Sequence, residues 1–177
     1  DEQTQRFLID QAQDRSRNPL ELDKLHKMID YCHTERCLQS YVIDYFGDAN
    51  HPKCGKCANC TDERPQQDVT TDAQKVLSCI VRMGQKFGKQ LTAAVLAGSR
   101  SKKVTDFNFQ KLPTYGILRS MNAKEIANFI EFLIAEKLII VNNGQFPTLA
   151  ISDLGKEVLL GKHTVQRKQA RIIKAQV

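Results

Sequence analysis

Cys54, Cys57 and Cys60 stand three residues apart in the run Cys54-Gly-Lys-Cys57-Ala-Asn-Cys60, with Cys32 and Cys37 upstream. Thiols at this spacing suit a soft metal ion. A Cys-x-x-Cys turn presents two thiolates to one side of an ion, and zinc takes four ligands in a tetrahedron with Zn–S about 2.3 Å. Gly55 lets the turn curl and frees backbone N–H groups to face the sulfurs. Three ligands are local, so the fourth comes from elsewhere: Cys37, Cys32, His33 and His51 are the candidates. Pro52 stiffens the approach from His51. Cys37 heads an amphipathic run, and ligation there would pin a helix to the metal loop. The expected site is Cys37, Cys54, Cys57 and Cys60 around a structural Zn2+. Four thiolates leave no open position for catalysis. An iron–sulfur cluster is the rival, but the ferredoxin run wants a further Cys-Pro, and Thr61-Asp-Glu-Arg64 follows instead. Three disulfides would need an oxidising compartment that nothing in the chain indicates. Cys79 reads as a small buried hydrophobe, and Cys32 as the same or an alternative ligand.

The charge is uneven. Of a net +6, residues 1–63 carry 8 Lys and Arg against 12 Asp and Glu, and residues 64–177 carry 18 against 8. A body this basic implies a polyanionic partner, nucleic acid first. No run of 18 apolar residues marks a membrane span, and the first residues are not a signal peptide. The chain begins without Met and reads as part of a longer protein. It offers no catalytic constellation: Gly84-Gln-Lys-Phe-Gly88-Lys-Gln lacks the spacing and the Ser/Thr of a phosphate-binding loop, so this stretch alone should not hydrolyse ATP.

The elements that position these residues follow from periodicity. Residues 4–13 read as a helix, broken by Arg15-Ser-Arg-Asn-Pro19. Leu20, Leu22, Leu25, Met28 and Ile29 mark a second. Leu38, Tyr41, Val42, Tyr45 and Phe46 form the apolar face of a third, which Gly47 ends. This gives a helical zinc-binding unit over 1–63, small enough to need its metal as a staple. Residues 64–70 read as a polar linker. A second unit over 71–161 begins with a helix facing inward through Val76, Leu77, Ile80, Val81 and Met83. A short helix ends at Gly98, a basic loop spans Ser99–Lys103, and a short element starts at Phe107. Asn122-Ala-Lys-Glu125 is a capping box opening a long helix. Leu138–Val141 and Thr148–Ile151 flank an Asn-Asn-Gly turn, and Asp153 caps a last helix. Three helices, a two-stranded wing and a helix make a winged helix, so the class is mainly α with a small β-wing. Residues 162–177 read as a basic tail.

In such a fold the third main helix or the wing meets DNA. The candidate contacts are Lys86, Lys89, Ser99, Arg100, Lys102, Lys103, Arg119, Ser120, Asn122 and Lys124. They suit phosphate rather than base edges, which implies weak sequence preference. Phe146, at the hairpin tip, either covers the core or stacks on a duplex end.

The chain resembles the C-terminal region of RecQ-family DNA helicases. The likeness lies in Cys37, Tyr45-Phe-Gly47, the Cys54–Cys60 run, Thr71-Asp-Ala-Gln74, Arg82 to Lys89, Leu96-Ala-Gly-Ser99, Lys103-Val104 and Tyr115-Gly116. The resemblance implies that Cys37, Cys54, Cys57 and Cys60 hold zinc and that Ser99 and Lys103 touch phosphate. It further implies an accessory region for 3′-to-5′ unwinding, engaging duplex beside a single-strand junction, a fork or a G-quadruplex. ATP and Mg2+ would belong to two motor lobes outside this chain. The setting it implies is recombination, repair, replication and the SOS response, in a monomeric, cytoplasmic, nucleoid-associated bacterial protein that meets single-strand-binding protein. Ala97 departs from the Arg of some relatives, removing one phosphate contact. The hairpin tip is shorter than the wing human relatives use as a wedge. A zinc-stabilised winged-helix transcription regulator is the alternative reading.

Overall fold

The computed structural model describes residues 2–11, 18–48, 52–142 and 146–169. The break before Pro19, His51, most of the hairpin tip and the tail beyond Gln169 lie outside these residues. The first unit holds α1 (Glu2–Gln11), α2 (Asn18–His33) and α3 (Leu38–Tyr45), followed by the cysteine loop. Pro19 falls in the first turn of α2, where its missing N–H is not needed. Among the described residues up to 61, Cys37 is the one buried apolar side chain. A unit with so little core depends on its metal and on the neighbour it packs against.

The expected apolar face of α3 is only partly covered. Val42 and Tyr45 are exposed, and Phe46 is 79% exposed. The helix is held instead at its start: Cys37 is its N-cap, with the Ser40 N–H donating to the Cys37 sulfur at 3.5 Å. Gly47, at φ +95°, follows the last turn as expected. Cys32 is exposed, not a core residue.

The second unit carries the core. It runs β1 (Gln66–Asp68), α4 (Thr70–Arg82), α5 (Lys89–Ala97), α6 (Lys102–Asp106), a 3-10 turn (Phe109–Lys111), α7 (Ala123–Ala135), β2 (Ile139–Asn142), β3 (Thr148–Ile151), α8 (Asp153–Leu159) and β4 (Gln166–Lys168). Val76, Leu77, Ile80, Val95, Leu96, Ile126, Phe129, Ile130, Leu133 and Leu149 interlock in one cluster. Cys79 is fully buried there, and Val81 faces solvent. β2 and β3 pair antiparallel with Ile139 opposite Ile151, which is the expected wing. The hairpin is anchored at its base: the Leu149 N–H donates to the Phe87 carbonyl at 3.0 Å, and the Ile151 N–H to Gln85 Oε1 at 2.9 Å. The final helix is capped by Ser152 rather than Asp153, because the Ser152 hydroxyl reaches the Gly155 N–H at 3.0 Å.

The expected linker and basic tail differ most. Gln66–Asp68 and Gln166–Lys168 form an antiparallel ribbon, with Gln67 opposite Arg167. Both strands are short and polar, so pairing is carried by backbone hydrogen bonds and leaves no apolar alternation to read. The Arg167 guanidinium lies 5.4 Å and 4.9 Å from the Phe129 and Phe132 ring centroids, a cation–π arrangement that keeps it within the fold.

Candidate metal centre and nucleic-acid face

The Sγ atoms of Cys37, Cys54, Cys57 and Cys60 all lie within 4.8 Å of one another. Cys54 and Cys60 sulfurs are 4.0 Å apart, as are those of Cys57 and Cys37. A regular tetrahedron with Zn–S about 2.3 Å would set its sulfurs about 3.8 Å apart, so the quartet fits zinc with little adjustment. Backbone N–H groups surround the sulfurs. Leu38 donates to Cys57 at 3.4 Å, Cys54 to Cys37 at 3.4 Å and Cys57 to Cys54 at 3.3 Å. Such donors favour thiolates, the form that binds metal. The N–H groups of Cys54 and Ser40 hold the Cys37 thiol down at about 5. Burial opposes the same shift at Cys57, but the N–H groups of Leu38 and Cys60 carry it to about 7. Burial and the neighbouring Cys57 push Cys60 up to about 11. All four sulfur ligands would come from protein, so the zinc here is structural.

Asn59 stiffens the loop by donating to the carbonyls of Thr34 and Arg36, both at 2.8 Å. Lys168 ties the loop to β4, donating to the carbonyls of Asn59 at 2.7 Å and Asp62 at 3.0 Å. This contact was not expected, since a lysine in a basic tail reads as solvated.

The candidate nucleic-acid face is built on a close approach of two glycines. Gly98 ends α5 at φ +76°, and a Cβ there would stand 3.2 Å from the Gly116 Cα. The gap is closed by the Gly116 N–H donating to Val95 O at 2.9 Å and the Leu118 N–H to Leu96 O at 3.0 Å. Tyr115 completes the join, its hydroxyl donating to Gly98 O at 2.9 Å. The segment carrying Ser99, Arg100, Lys102 and Lys103 thus lies against the turn carrying Arg119 and Ser120. Arg119 Nε donates to Gly116 O at 3.1 Å, beside that join. Lys102 and Lys103 open α6 rather than lying in a loop. Lys86, Arg100, Lys102, Lys103, Arg119 and Lys124 are exposed, and none makes an ion pair among the described residues.

Two candidates differ. The capping box engages the side-chain oxygen and the backbone of Asn122: its Oδ1 accepts from the Glu125 N–H at 2.9 Å and its backbone N–H donates to Glu125 Oε2 at 2.8 Å. Lys89 is paired with Glu131 of α7 and lies 3.4 Å from Glu2 of α1. It bridges the two units, and the acids that hold it are far off in sequence. Phe146 is 78% exposed and does not cover the core. Among the described residues no helix is long and apolar enough to cross a membrane.

A family model described as the RQC domain matches residues 63–175. The chain belongs to that family. A second model, described as RecQ zinc-binding, matches residues 1–61, the region that holds the cysteine quartet. The RQC chain is 51% identical over 166 residues to the ATP-dependent DNA helicase RecQ of Bacillus subtilis (strain 168), covering 94% of this chain and 28% of that protein. It is 29% identical over 172 residues to the ATP-dependent DNA helicase RecQ of Haemophilus influenzae, covering 95% and 27%. It is 26% identical over 171 residues to the ATP-dependent helicase SGS1 of Saccharomyces cerevisiae, covering 89% and 12%. The RQC chain thus spans about a quarter of the two bacterial relatives.

Proposed function

We propose that this chain is the DNA-binding accessory region of a RecQ-type 3′-to-5′ helicase, gripping duplex next to a single-strand junction while motor lobes elsewhere in the protein use ATP and Mg2+. Residues 1–63 form the zinc-stabilised platform and residues 71–161 the winged helix, with the β1–β4 ribbon joining them. The observation that carries the reading is the set of acid-free cations on the joined 98–103 and 115–120 segments, in a chain that the RecQ zinc-binding and RQC models match over residues 1–61 and 63–175. Lys86, Ser99, Arg100, Lys102, Lys103, Arg119, Ser120 and Lys124 hold phosphate. Asn122 and Lys89 serve the fold. Phosphate contacts position the protein without reading sequence, as unwinding of arbitrary DNA requires. Forks and G-quadruplexes are the structures of interest, single-strand-binding protein a partner, and a monomer at the nucleoid in the cytoplasm the working form, in recombination and repair.

Competition among forked, blunt and single-stranded DNA across a salt series tests this. A junction preference with a log–log salt slope of roughly −4 to −5, from about five phosphate contacts, is expected. A dimer with one preferred duplex sequence would instead mark the transcription regulator.

A further inference from the structure

A cleft of about 1090 Å³ opens between the two units, and the side nearest the basic loop is aromatic. Phe107 and Phe109 stack with centroids 5.5 Å apart and planes 20° apart, and Phe87 meets each edge-on at 4.9 Å. Phe109 is buried and Phe87 half-buried, yet Phe107 remains 53% exposed. Phe107 follows α6 four residues after Lys103, the spacing that shares a helix face. Both line the cleft, with Ser101 and Phe146. The acids Glu2 and Glu131 in the same cleft are tied to Lys89, and Glu2 also to Arg6. Asp23, Lys27 and Asp30 of α2, and Lys137, also line the cleft without an ion pair among the described residues, whereas the charge that α6 brings to it beside Phe107 is the unpaired Lys103.

A ring braced by two others is a rigid platform, and leaving half of it in water forgoes burial. Exposed rings beside unpaired cations are how single-stranded nucleic acid is held: cations track the backbone and rings stack on bases. A duplex keeps its bases stacked on one another and offers a ring only its ends. The geometry points to Phe107 as the stacking platform for an unpaired base where one strand leaves the duplex, with Lys102 and Lys103 on the adjoining phosphates. This rests on the junction reading above and adds the residue that senses the unpaired strand. Arg100, Lys102 and Lys103 supply more charge than one ring needs, which suits a polyanion running past it.

The test uses the 177-residue protein and a junction carrying 2-aminopurine at the first unpaired position. Binding quenches the probe. Phe107→Ala, a substitution at an exposed ring, abolishes the quenching and weakens junction binding about tenfold, with blunt-duplex affinity unchanged. Phe107→Tyr restores both signals. Lys102→Ala weakens junction and duplex alike. Quenching that survives in Phe107→Ala, or an equal loss on blunt duplex and junction, overturns the assignment. So does an absence of quenching joined to Phe107-dependent binding of a glutamate-rich, phenylalanine-containing peptide, which would give the ring to a protein partner. Duplex affinity without quenching sinks the stacking and leaves the junction grip. Quenching by single strand without duplex affinity does the reverse.

Discussion

The ammonium of Lys168 lies 3.6 Å from the carboxylate of Asp62, joining the last described strand to the end of the metal loop. Their side chains are only 11% and 9% exposed. The Lys168 N–H also donates to Glu35 Oε2 at 2.7 Å, and Arg64 reaches the Gln169 carbonyl at 2.5 Å. The ribbon is therefore a fastener between the zinc unit and the winged helix. Lys168→Met keeps the apolar stem but leaves the Asn59 and Asp62 carbonyls without this donor. It should cost about 2 kcal/mol, with hydrogen exchange rising first at residues 57–62. Unchanged exchange there would show that the ribbon does not hold the loop.

Removing a metal ligand should separate the two units in stability. Folding energy on the order of 10 kcal/mol comes from structural zinc in small domains, and the first unit has almost no apolar core of its own. Cys57→Ser should lose zinc and unfold α1–α3, while α4–α8 keep their packing. Metal analysis with residue-resolved exchange distinguishes this from global unfolding. A Cys57→Ser protein that retains one tightly held zinc and native α1–α3 exchange would refute it.

The metal site was legible because its chemistry is local: three ligands fall within seven residues, and Cys37 stands where a helix begins. The Asn122 box and the Gly98 cap were legible for the same reason. The ribbon was not, since Gln66–Asp68 and Gln166–Lys168 meet through backbone across a hundred residues. Lys89 beside Phe87-Gly88 reads as a phosphate ligand until its acids, 42 and 87 residues away, are brought to it. In the sequence Phe107 only opens a short element, and its packing on Phe87 and Phe109 with half its surface left in water shows in the structure alone. Periodicity reports what a segment buries, not what a distant segment leaves uncovered.

The loop cations should act on affinity without altering preference. Arg100→Ala with Lys103→Ala removes two phosphate-type contacts from exposed positions, so the fold should be unaffected. Binding to fork, blunt duplex and single strand should fall by a common factor, and the salt slope should become shallower by about 2. A loss confined to one DNA sequence would place these side chains on base edges instead.

Asp30 gives the fold a pH dependence of defined sign. Burial in α2 raises its carboxyl to about 6, against the pull of Lys27 and with Glu131 and Asp23 adding to the rise. In the unfolded chain the group titrates near the ordinary carboxylate value of 3.8. Between these values the folded protein holds a proton that the unfolded chain has lost, so this residue's contribution to stability falls as pH rises from about 4 to 6. His26 works the other way: burial and then Arg6, whose guanidinium is 2.5 Å from Nε2, lower its pKa, so its protonation weakens the fold as pH falls. The two act in overlapping ranges, and Asp30→Asn separates them. The variant should match the parent near pH 4 and exceed it in Tm above pH 6. A difference that grows toward acid pH would mean that the Asp30 carboxylate is stabilised, not penalised, where α2 meets α7.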